Sequence, residues 1–277
     1  MGFQTLSGAG NGKGEGDRPW WLVALVAIAL GIAAVIAFND LYAQVFATIS
    51  RGIGVTVFVT VVGFALATML GLLVALAGMS DSLIVRQIAR FYVEVIRGIP
   101  ILVLLFYIAF VGAPGFVSLY NFLTGPLIEH GWLSALQVRD VSLMWRAIFA
   151  LMIGYSAFIA EIFRAGFQSV DKGQIEAAMS LGLNRYQRFR LIVFPQAVKV
   201  IFPPLSNDFV AMVKDSSLVS VLGVADISQA GKIYASGSFR FFETYSIVAY
   251  IYLILTIGLS MLLRRLEKRM REKGAAR

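Results

Sequence analysis

Polar side chains interrupt the long apolar stretches of this sequence, and they are its best candidates for chemistry. A charged side chain at a bilayer centre costs about 2.5–3.5 kcal/mol, so a chain keeps one only in a protein interior or a watery cavity. Residues 195–224 combine carboxylates, ammonium groups and hydroxyls, which together suit both charged groups of a zwitterion. We therefore expect a pathway for a small polar solute to be lined by Asn207, Asp208, Lys214, Asp215, Ser216 and Ser217.

A second group of charges lies near the ends of two other apolar segments. Glu94 and Arg97 begin one of these segments, and Glu161 and Arg164 lie near the end of another. Two interpretations of Glu161 stay open. Its carboxylate lines the same pathway, or it pairs with Arg164 or Arg97 and only stabilises the fold.

The sequence contains no known catalytic or metal-binding motif. It contains no cysteine and a single histidine, which excludes disulfides, thiolate metal sites and histidine-rich metal sites. It also lacks the GxxxxGK[ST] loop that holds nucleotide phosphates. We expect no metal site, no bound cofactor and no enzymatic activity in this chain, so that ATP and Mg would have to be bound by another subunit.

Apolar helices are the elements that must position these residues. The chain of 277 residues is 58% hydrophobic and 14% charged, whereas a soluble domain is about 25% charged. This composition predicts an all-α integral membrane protein with about six transmembrane helices, each long enough to cross the hydrocarbon core. We expect the spans over residues 20–38, 52–77, 91–112, 144–163, 195–224 and 241–263.

The segments outside these spans have compositions of their own. Residues 1–19 are rich in glycine and polar groups and predict a disordered tail. Residues 113–143 are divided by charges and turn residues, so we interpret them as an interfacial connection. Residues 266–277 form a basic tail that suits contact with anionic membrane lipid.

The distribution of basic residues predicts the orientation in the membrane. If the N-terminus is cytoplasmic, cytoplasmic segments hold 17 of the 24 Lys and Arg residues and the outer segments hold six. Because basic residues accumulate on the cytoplasmic side, we expect both termini in the cytoplasm. The net charge of +8 then reflects topology, and we expect no nucleic-acid partner.

The longest polar interruption, residues 171–195, reads as two short helices on the cytoplasmic side. Asp171 is an N-cap for the first helix, which has Glu176 near its N-terminal end and Gly182 as a left-handed stop. Asn184 caps the second helix with a glutamine three residues on. Pro195 marks the next break, because proline removes a backbone donor.

This loop resembles the EAA loop of permease subunits of bacterial type I ABC importers. The resemblance rests on Glu176-Ala177-Ala178, on Gly182 and on Pro195. Three further stretches, SAFIAEIFRAGFQSV, YVEVIRGIPILVLLFYIAF and PPLSNDFVAMVKDSSLVSVLGV, are similar to the polar amino acid branch (histidine, glutamate, glutamine and arginine type). The chain is identified as a member of that branch over residues 50–265, and departs from its pattern at Ile99 and Phe194.

Membership in that branch implies an architecture and a set of partners. The family core has five spans, so residues 20–38 would be an additional N-terminal transmembrane helix. The helix with Glu176, Ala177 and Ala178 would be the coupling helix that docks into an ATP-binding subunit. The resemblance also implies a second permease subunit, identical or homologous, a dimer of ATP-binding subunits, and an extracytoplasmic binding protein that delivers a polar amino acid. An ion-coupled secondary carrier or channel is the alternative, and it would need no ATP-binding partner.

Overall fold

Residues 20–275 are described by a computed structural model, and helices occupy most of that range. Residues 1–19, for which a disordered tail is predicted, lie outside the described residues, as do the last two residues of the basic tail. The helices are α1 Trp20–Phe38, α2 Asp40–Ile49, α3 Ile53–Gly78, α4 Leu83–Gly98, α5 Ile101–Tyr107, α6 Ala113–Glu129, α7 Leu143–Gln168, α8 Lys172–Ser180, α9 Arg185–Arg188, α10 Phe194–Asp215, α11 Ile227–Ser238 and α12 Phe241–Ala275.

Short segments of tighter or wider helix join several of these elements. The 3₁₀ segments are Ser50–Gly52, Val138–Asp140 and Ser216–Leu222, and the π-helical segments are Ile108–Gly112 and Phe189–Val193. Within the described residues, five continuous helical stretches are long and apolar enough to cross a membrane. These stretches are Asp40–Gly78, Ile101–Glu129, Leu143–Gln168, Arg185–Leu222 and Phe241–Met270. Together with the apolar α1 they confirm the predicted all-α membrane architecture.

The third span differs from the one predicted over residues 91–112. The chain leaves the helix at Ile99, whose backbone is extended (φ −99°, ψ 128°), because Pro100 crowds a helical conformation of the residue before it. Residues Leu83–Gly98 therefore form the separate amphipathic helix α4, and the span begins at Ile101. The interfacial connection predicted over residues 113–143 is wrong in its first half, since the span continues to Glu129.

A π-helical turn carries this third span past Pro114. The amide of Ala113 bonds to the carbonyl of Ile108, and Pro114 has no amide to give, so the carbonyl of Ala109 lacks a helical partner. The buried guanidinium of Arg146 donates to that carbonyl from Nη1 at 3.2 Å. It also donates to the carbonyl oxygens of Val141 and Val138. Arg146 thus ties α7 to the third span and to the connection between them.

Pro195 is accommodated in a similar way. The π-helical segment Phe189–Val193 runs directly into α10, and the amide of Phe194 bonds to the carbonyl of Phe189. Pro195 therefore follows a local widening of one continuous helical stretch, where a break in the helix had been predicted. The α-helical part of this stretch ends at Asp215, and the remainder of the predicted span is the 3₁₀ segment Ser216–Leu222.

Helices α3 and α7 form the most extensive helix pair and carry the main core. A side chain at Gly71 would lie 2.8 Å from Ile159 and 2.9 Å from the carbonyl of Ser156, so only glycine allows this approach. At Gly54, by contrast, nothing lies within 4 Å of the equivalent position. The core around this pair includes Val59, Ala67, Ile148, Leu151 and Met212.

A second core joins α2, α11 and α12 near the N-terminal end of α3. Val45 and Ile49 pack there against Ile227 and Ile247, and all four side chains are fully buried. The segment between the fifth and sixth predicted spans, residues 226–240, is largely helical, since α11 lies within it. The chain crosses itself closely at this point, because a side chain on Gly52 would lie 2.5 Å from the backbone of Asp226.

Candidate functional site

Two of the polar residues predicted on α10, Asp208 and Asp215, lie near Tyr155 of α7, and one of them is already bonded. The hydroxyl of Tyr155, on α7, donates to Oδ2 of Asp215 at 2.7 Å. Asp208 lies two turns earlier on α10, so the two carboxylates share a face of the helix. Both carboxylates are close enough to the Tyr155 hydroxyl to interact with it electrostatically.

Asp208 differs from Asp215 in its bonding. Its Oδ2 is buried and has no hydrogen-bond partner among the described residues. A buried carboxylate oxygen without a partner is costly, because it has lost its hydration and gained nothing in exchange. The face of α10 that lies next to Tyr155 therefore carries two carboxyl groups, and Asp208 has bonding capacity to spare.

The other predicted members of this set are arranged less closely. Asn207 and Lys214 are exposed, and Lys214 forms no ion pair in the part of the chain that the structure describes. Ser216 is buried and donates to the carbonyl of Val213 at 2.7 Å, so its hydroxyl is engaged locally. Ser217 is half-buried, and its carbonyl accepts from the hydroxyl of Ser220. The six residues do not form one cluster, and their role in a pathway stays a prediction.

Glu161 lies elsewhere and is paired. Arg164 donates to both of its carboxylate oxygens, from Nε at 3.1 Å and from Nη2. The Nη1 of Arg164 donates to Oε1 of Gln168 at 3.0 Å. This is the structural pairing that the sequence left open for Glu161. The pair is part-exposed, so the contact alone does not exclude a place on a pathway.

A cavity of about 330 Å³ opens beside this pair, between α3, α4 and α7. Arg90 and Glu94 line it from α4, and Glu161, Arg164 and Gln168 line it from α7. Its apolar wall is formed by Val74, Ala75, Ala89, Val93 and Ala160. Glu94, Glu161 and Arg164 are thus brought together, and α10 contributes nothing to this cavity.

Arg97 lies in the last turn of α4, next to the break before α5. Its guanidinium stacks over the ring of Phe158 with its central carbon 5.6 Å from the centroid. Both residues line a second cavity of about 350 Å³, together with the backbone around Gly98 and Pro100. Arg97 therefore contributes a charge next to the point where the third span is interrupted.

The predicted coupling loop is built by its caps. The side chain of Asp171 accepts from the amide of Gln174 and starts α8. At the other end Gly182 has a φ of +75°, and the amide of Leu183 bonds to the carbonyl of Ala178 at 3.1 Å. Only a residue that tolerates the left-handed region can end the helix this way, which confirms the predicted glycine stop.

The second half of the loop is held as firmly. Asn184 and Gln187 exchange hydrogen bonds between side chain and backbone in both directions, which confirms the predicted capping box. The side-chain Nε2 of Gln196, on α10, donates to Oε1 of Gln174 at 2.6 Å. The loop is therefore fixed both by its own caps and by the first turn of α10.

The outer surface of the loop exposes three large apolar side chains among its polar ones. Ala178 is buried, whereas the Met179, Leu181 and Tyr186 side chains are 55%, 80% and 67% exposed. Ala177 and Glu176 are also exposed. Glu176 is the fifth residue of the nine-residue α8, so its predicted position near the N-terminal end is wrong.

Some polar residues of the structure carried no sequence signal. Tyr155 and Tyr92 read as ordinary aromatic residues in apolar segments, yet Tyr92 lies 2.6 Å from the buried Ser156 hydroxyl and links α4 to α7. Burial raises the pKa of Tyr92, so its hydroxyl keeps its proton. The sequence does indicate Asp226 as an N-cap, because it precedes an apolar residue and has a glutamine at the third helical position.

Asp226 is the centre of a buried network near α11. Its Oδ1 accepts from the amide of Gln229 at 2.8 Å, and its Oδ2 accepts from the hydroxyl of Tyr252 at 3.1 Å. The next amide, of Ile227, donates to the hydroxyl of Thr56 on α3. Burial raises the pKa of Asp226, although the hydrogen bonds from Gln229 and Tyr252 oppose the shift.

Comparison with known proteins gives one family. Residues 67–272 match the family described as "Binding-protein-dependent transport system inner membrane component". The chain is 35% identical to the "Glutamine transport system permease protein GlnP" of Escherichia coli (strain K12), over 80% of this chain and 92% of that protein. It is 33% identical to the "Probable amino-acid permease protein YxeN" of Bacillus subtilis (strain 168), over 81% and 92% of the two chains.

Two solved structures have a similar fold. The one described as "Crystal structure of an amino acid ABC transporter with histidines" matches with a TM-score of 0.67 and 36% identity, covering 82% of this chain and 95% of that chain. The one described as "Inward facing conformations of the MetNI methionine ABC transporter: CY5 native crystal form" matches with a TM-score of 0.60. At 18% identity, over 80% and 96% of the two chains, the second likeness supports the fold alone.

Proposed function

The chain belongs to the family of inner membrane components of binding-protein-dependent transport systems, and on that premise we propose that it is the permease subunit of an ATP-driven importer of polar amino acids. The family match and the apolar helices support a multi-pass inner membrane protein. The substrate class is supported by the curated relatives, whose names specify amino acids or glutamine at 33% and 35% identity.

The observation that carries the ATP-driven part of this proposal is the capped loop between α7 and α10. It exposes the apolar side chains of Met179 and Leu181 at the end of a capped helix, and such side chains suit a groove on another protein. Glu176, Ala177, Ala178 and Gly182 are the coupling residues, and Pro195 fixes the start of α10. Because the sequence lacks a phosphate-binding loop, ATP and Mg are bound and ATP is hydrolysed by the partner subunit.

The complete importer contains two permease subunits, two cytoplasmic ATP-binding subunits and an extracytoplasmic binding protein. Both termini of this chain are cytoplasmic, which places α8 on the side of the ATP-binding subunits. The cargo passes the face of α10 that carries Asp208 and Asp215, where the unbonded Oδ2 of Asp208 offers a partner to an ammonium group. Binding protein and ATP act on the same two-state permease from opposite sides of the membrane.

Reconstitution into liposomes tests this function. The chain, its second permease subunit, the ATP-binding subunits and the binding protein are reconstituted together, and uptake of a panel of labelled amino acids is measured with ATP in the lumen. We expect uptake of polar amino acids only when ATP and binding protein are both present. Uptake by the permease alone under an ion gradient would instead support the ion-coupled carrier.

A further inference from the structure

The cavity between α3, α4 and α7 has a composition that the importer function does not use. We propose that it is a second binding site for free amino acid zwitterions, reached from the cytoplasm and separate from the α10 pathway. Through it, imported cargo slows its own import. This inference rests on the proposed function and on the cytoplasmic position of the loop that follows α7.

The size of the cavity suits one small molecule. Pockets that hold small ligands have volumes of about 300–1,000 Å³, and this cavity measures about 330 Å³. Val74, Ala75, Val93 and Ala160 give it an apolar wall that can pack against the methylene groups of a side chain, and charged groups are among its other lining residues. Such a combination of an apolar wall and a few polar groups is typical of ligand sites.

The charged residues that line the cavity fall into a bonded pair and a free pair. Arg164 and Glu161 satisfy each other, and Gln168 occupies the rest of the Arg164 fork. Arg90 and Glu94, one turn apart on the same face of α4, form no hydrogen bond or ion pair among the described residues. A free guanidinium and a free carboxylate at that spacing complement the carboxylate and the ammonium of one zwitterion.

The position of the cavity connects it to the coupling loop. Helix α7 ends at Gln168, and Asp171, which caps α8, lies only three residues further along the chain. Helix α7 is also linked to α4 by the hydrogen bond between Tyr92 and Ser156. A ligand held by Arg90 and Glu94 on α4 and packed against Ala160 on α7 therefore contacts the helix that leads directly into α8.

A ligand in this cavity would favour the conformation in which the cavity is open. A ligand shifts an equilibrium toward the state that it binds more tightly. The importer must leave that state in each cycle, so occupancy would lower the rate of cycling. Free amino acid in the cytoplasm would thus lower both uptake and ATP hydrolysis.

Direct binding is the first measurement. The complete complex in nanodiscs without binding protein is titrated with labelled glutamine as the probe, and Arg90→Gln and Glu94→Gln are compared with the parent. We expect each variant to weaken binding about tenfold or more, while Arg86→Gln and Asp81→Asn, which make the same charge changes outside the cavity, leave it unchanged. Equal binding by the parent and both cavity variants would overturn the proposal.

Regulation is the second measurement. Liposomes with the complete importer are preloaded with unlabelled glutamine, and initial uptake and ATP hydrolysis are followed as the internal concentration rises. We expect both rates to fall for the parent and to fall less for Arg90→Gln and Glu94→Gln. If the parent imports glutamine at rates independent of the internal concentration, the proposal fails although the importer function stands. If the parent imports no amino acid, the importer function itself fails.

A lipid headgroup has similar chemistry, since phosphatidylethanolamine also carries an ammonium and an anionic group. The titration is therefore repeated in nanodiscs of phosphatidylglycerol alone and of phosphatidylglycerol mixed with phosphatidylethanolamine. We expect the same affinity for glutamine in both. Binding that disappears when phosphatidylethanolamine is present would identify a headgroup site and overturn regulation by cargo.

Discussion

At the scale of single residues, the chemistry of α10 depends on which polar atoms already have partners. Asp215 accepts from Tyr155, whereas one oxygen of Asp208 is buried and unbonded. A carboxyl group in this environment is tolerated only if a cationic group compensates its charge during the transport cycle, or if it is protonated and neutral. A substitution at Asp215 therefore also removes the partner of Tyr155, whereas one at Asp208 breaks no hydrogen bond at Oδ2.

Replacing Asp208 by Asn should lower uptake about tenfold or more, or change which amino acids are accepted, because the negative partner of a cationic group is lost. Asp215→Asn should act in the same direction. Uptake of the amino acid panel by the reconstituted importer measures both effects, and co-purification of all subunits shows that assembly is intact.

Tyr155→Phe is the matched control for Asp215, since it removes the hydrogen bond and leaves the charge. We expect it to retain most of the transport that Asp215→Asn loses. Full transport of the whole panel by both Asn variants would show that these carboxylates stabilise the helix pair and do not contact cargo.

Asp226 gives a prediction about pH. Because burial raises its pKa above the ordinary 3.8, the folded protein holds this proton more tightly than the unfolded chain. Its contribution to the stability is fully present below the unfolded pKa and is lost as the pH rises through the raised pKa. We expect Asp226→Asn to remove this part of the pH dependence, since asparagine is an equally good N-cap.

Thermal unfolding in detergent between about pH 4 and about pH 7, followed by tryptophan fluorescence, measures this effect. The midpoint of the parent should fall relative to that of Asp226→Asn as the pH rises. Asp226→Ala should lose about 0.5–2 kcal/mol at every pH, because the cap itself is gone. A constant difference between the parent and the Asn variant would show that Asp226 titrates normally.

At the scale of elements, helices with caps or with a sustained apolar stretch were predictable from sequence. Gly182 and the Asn184 capping box act locally, so their residues determine the geometry with little help from the rest of the fold. The third span was misplaced because its start depends on Pro100 and its continuation past Pro114 depends on Arg146, which binds the freed carbonyl of Ala109 from another helix. Sequence periodicity contains no information about such a distant donor.

The same limit applies to the candidate site. The charges Glu94, Glu161 and Arg164 could be named from their cost in an apolar segment, but not their assembly around one cavity. Tyr155 could not be identified from the sequence, because a tyrosine in an apolar span costs little free energy and does not indicate a polar site. Pairings between helices depend on packing, and packing depends on close approaches such as that at Gly71.

The coupling helix gives a prediction at this scale. Gly182→Val should unravel the end of α8 at a cost of about 1 kcal/mol or more, because a β-branched residue is strained at a φ of +75°. Gly182→Asn is the matched control, since asparagine tolerates this conformation. We expect the Val variant to remain in the membrane but to co-purify with less ATP-binding subunit and to lose transport in proportion.

Glu176→Lys should have the same consequence by another cause. The residue lies beyond the first turn of α8, where the helix dipole is weak, so the effect comes from the reversed charge on the docking surface. Transport and co-purification are again measured together. Undiminished docking and transport in both Glu176→Lys and Gly182→Val would remove the loop from the coupling mechanism.

At the scale of the whole molecule, the number of spans decides the orientation of the termini. Five helical stretches cross by length and composition, and α1 is an apolar helix of 19 residues. With α1 as a sixth span, both termini lie on the same side. With five spans, they lie on opposite sides, and the additional helix would rest in one leaflet.

Cysteine labelling distinguishes these two arrangements, and the chain suits it because it has no native cysteine. A single cysteine at residue 10 or at residue 275 is treated in intact cells with a maleimide that does not cross the membrane. Since basic residues accumulate on the cytoplasmic side, we expect neither position to react until the membrane is permeabilised. Reaction at residue 10 alone would mean that α1 does not cross. Reaction at residue 275 would place α8 outside the cytoplasm, where no ATP-binding subunit could reach it.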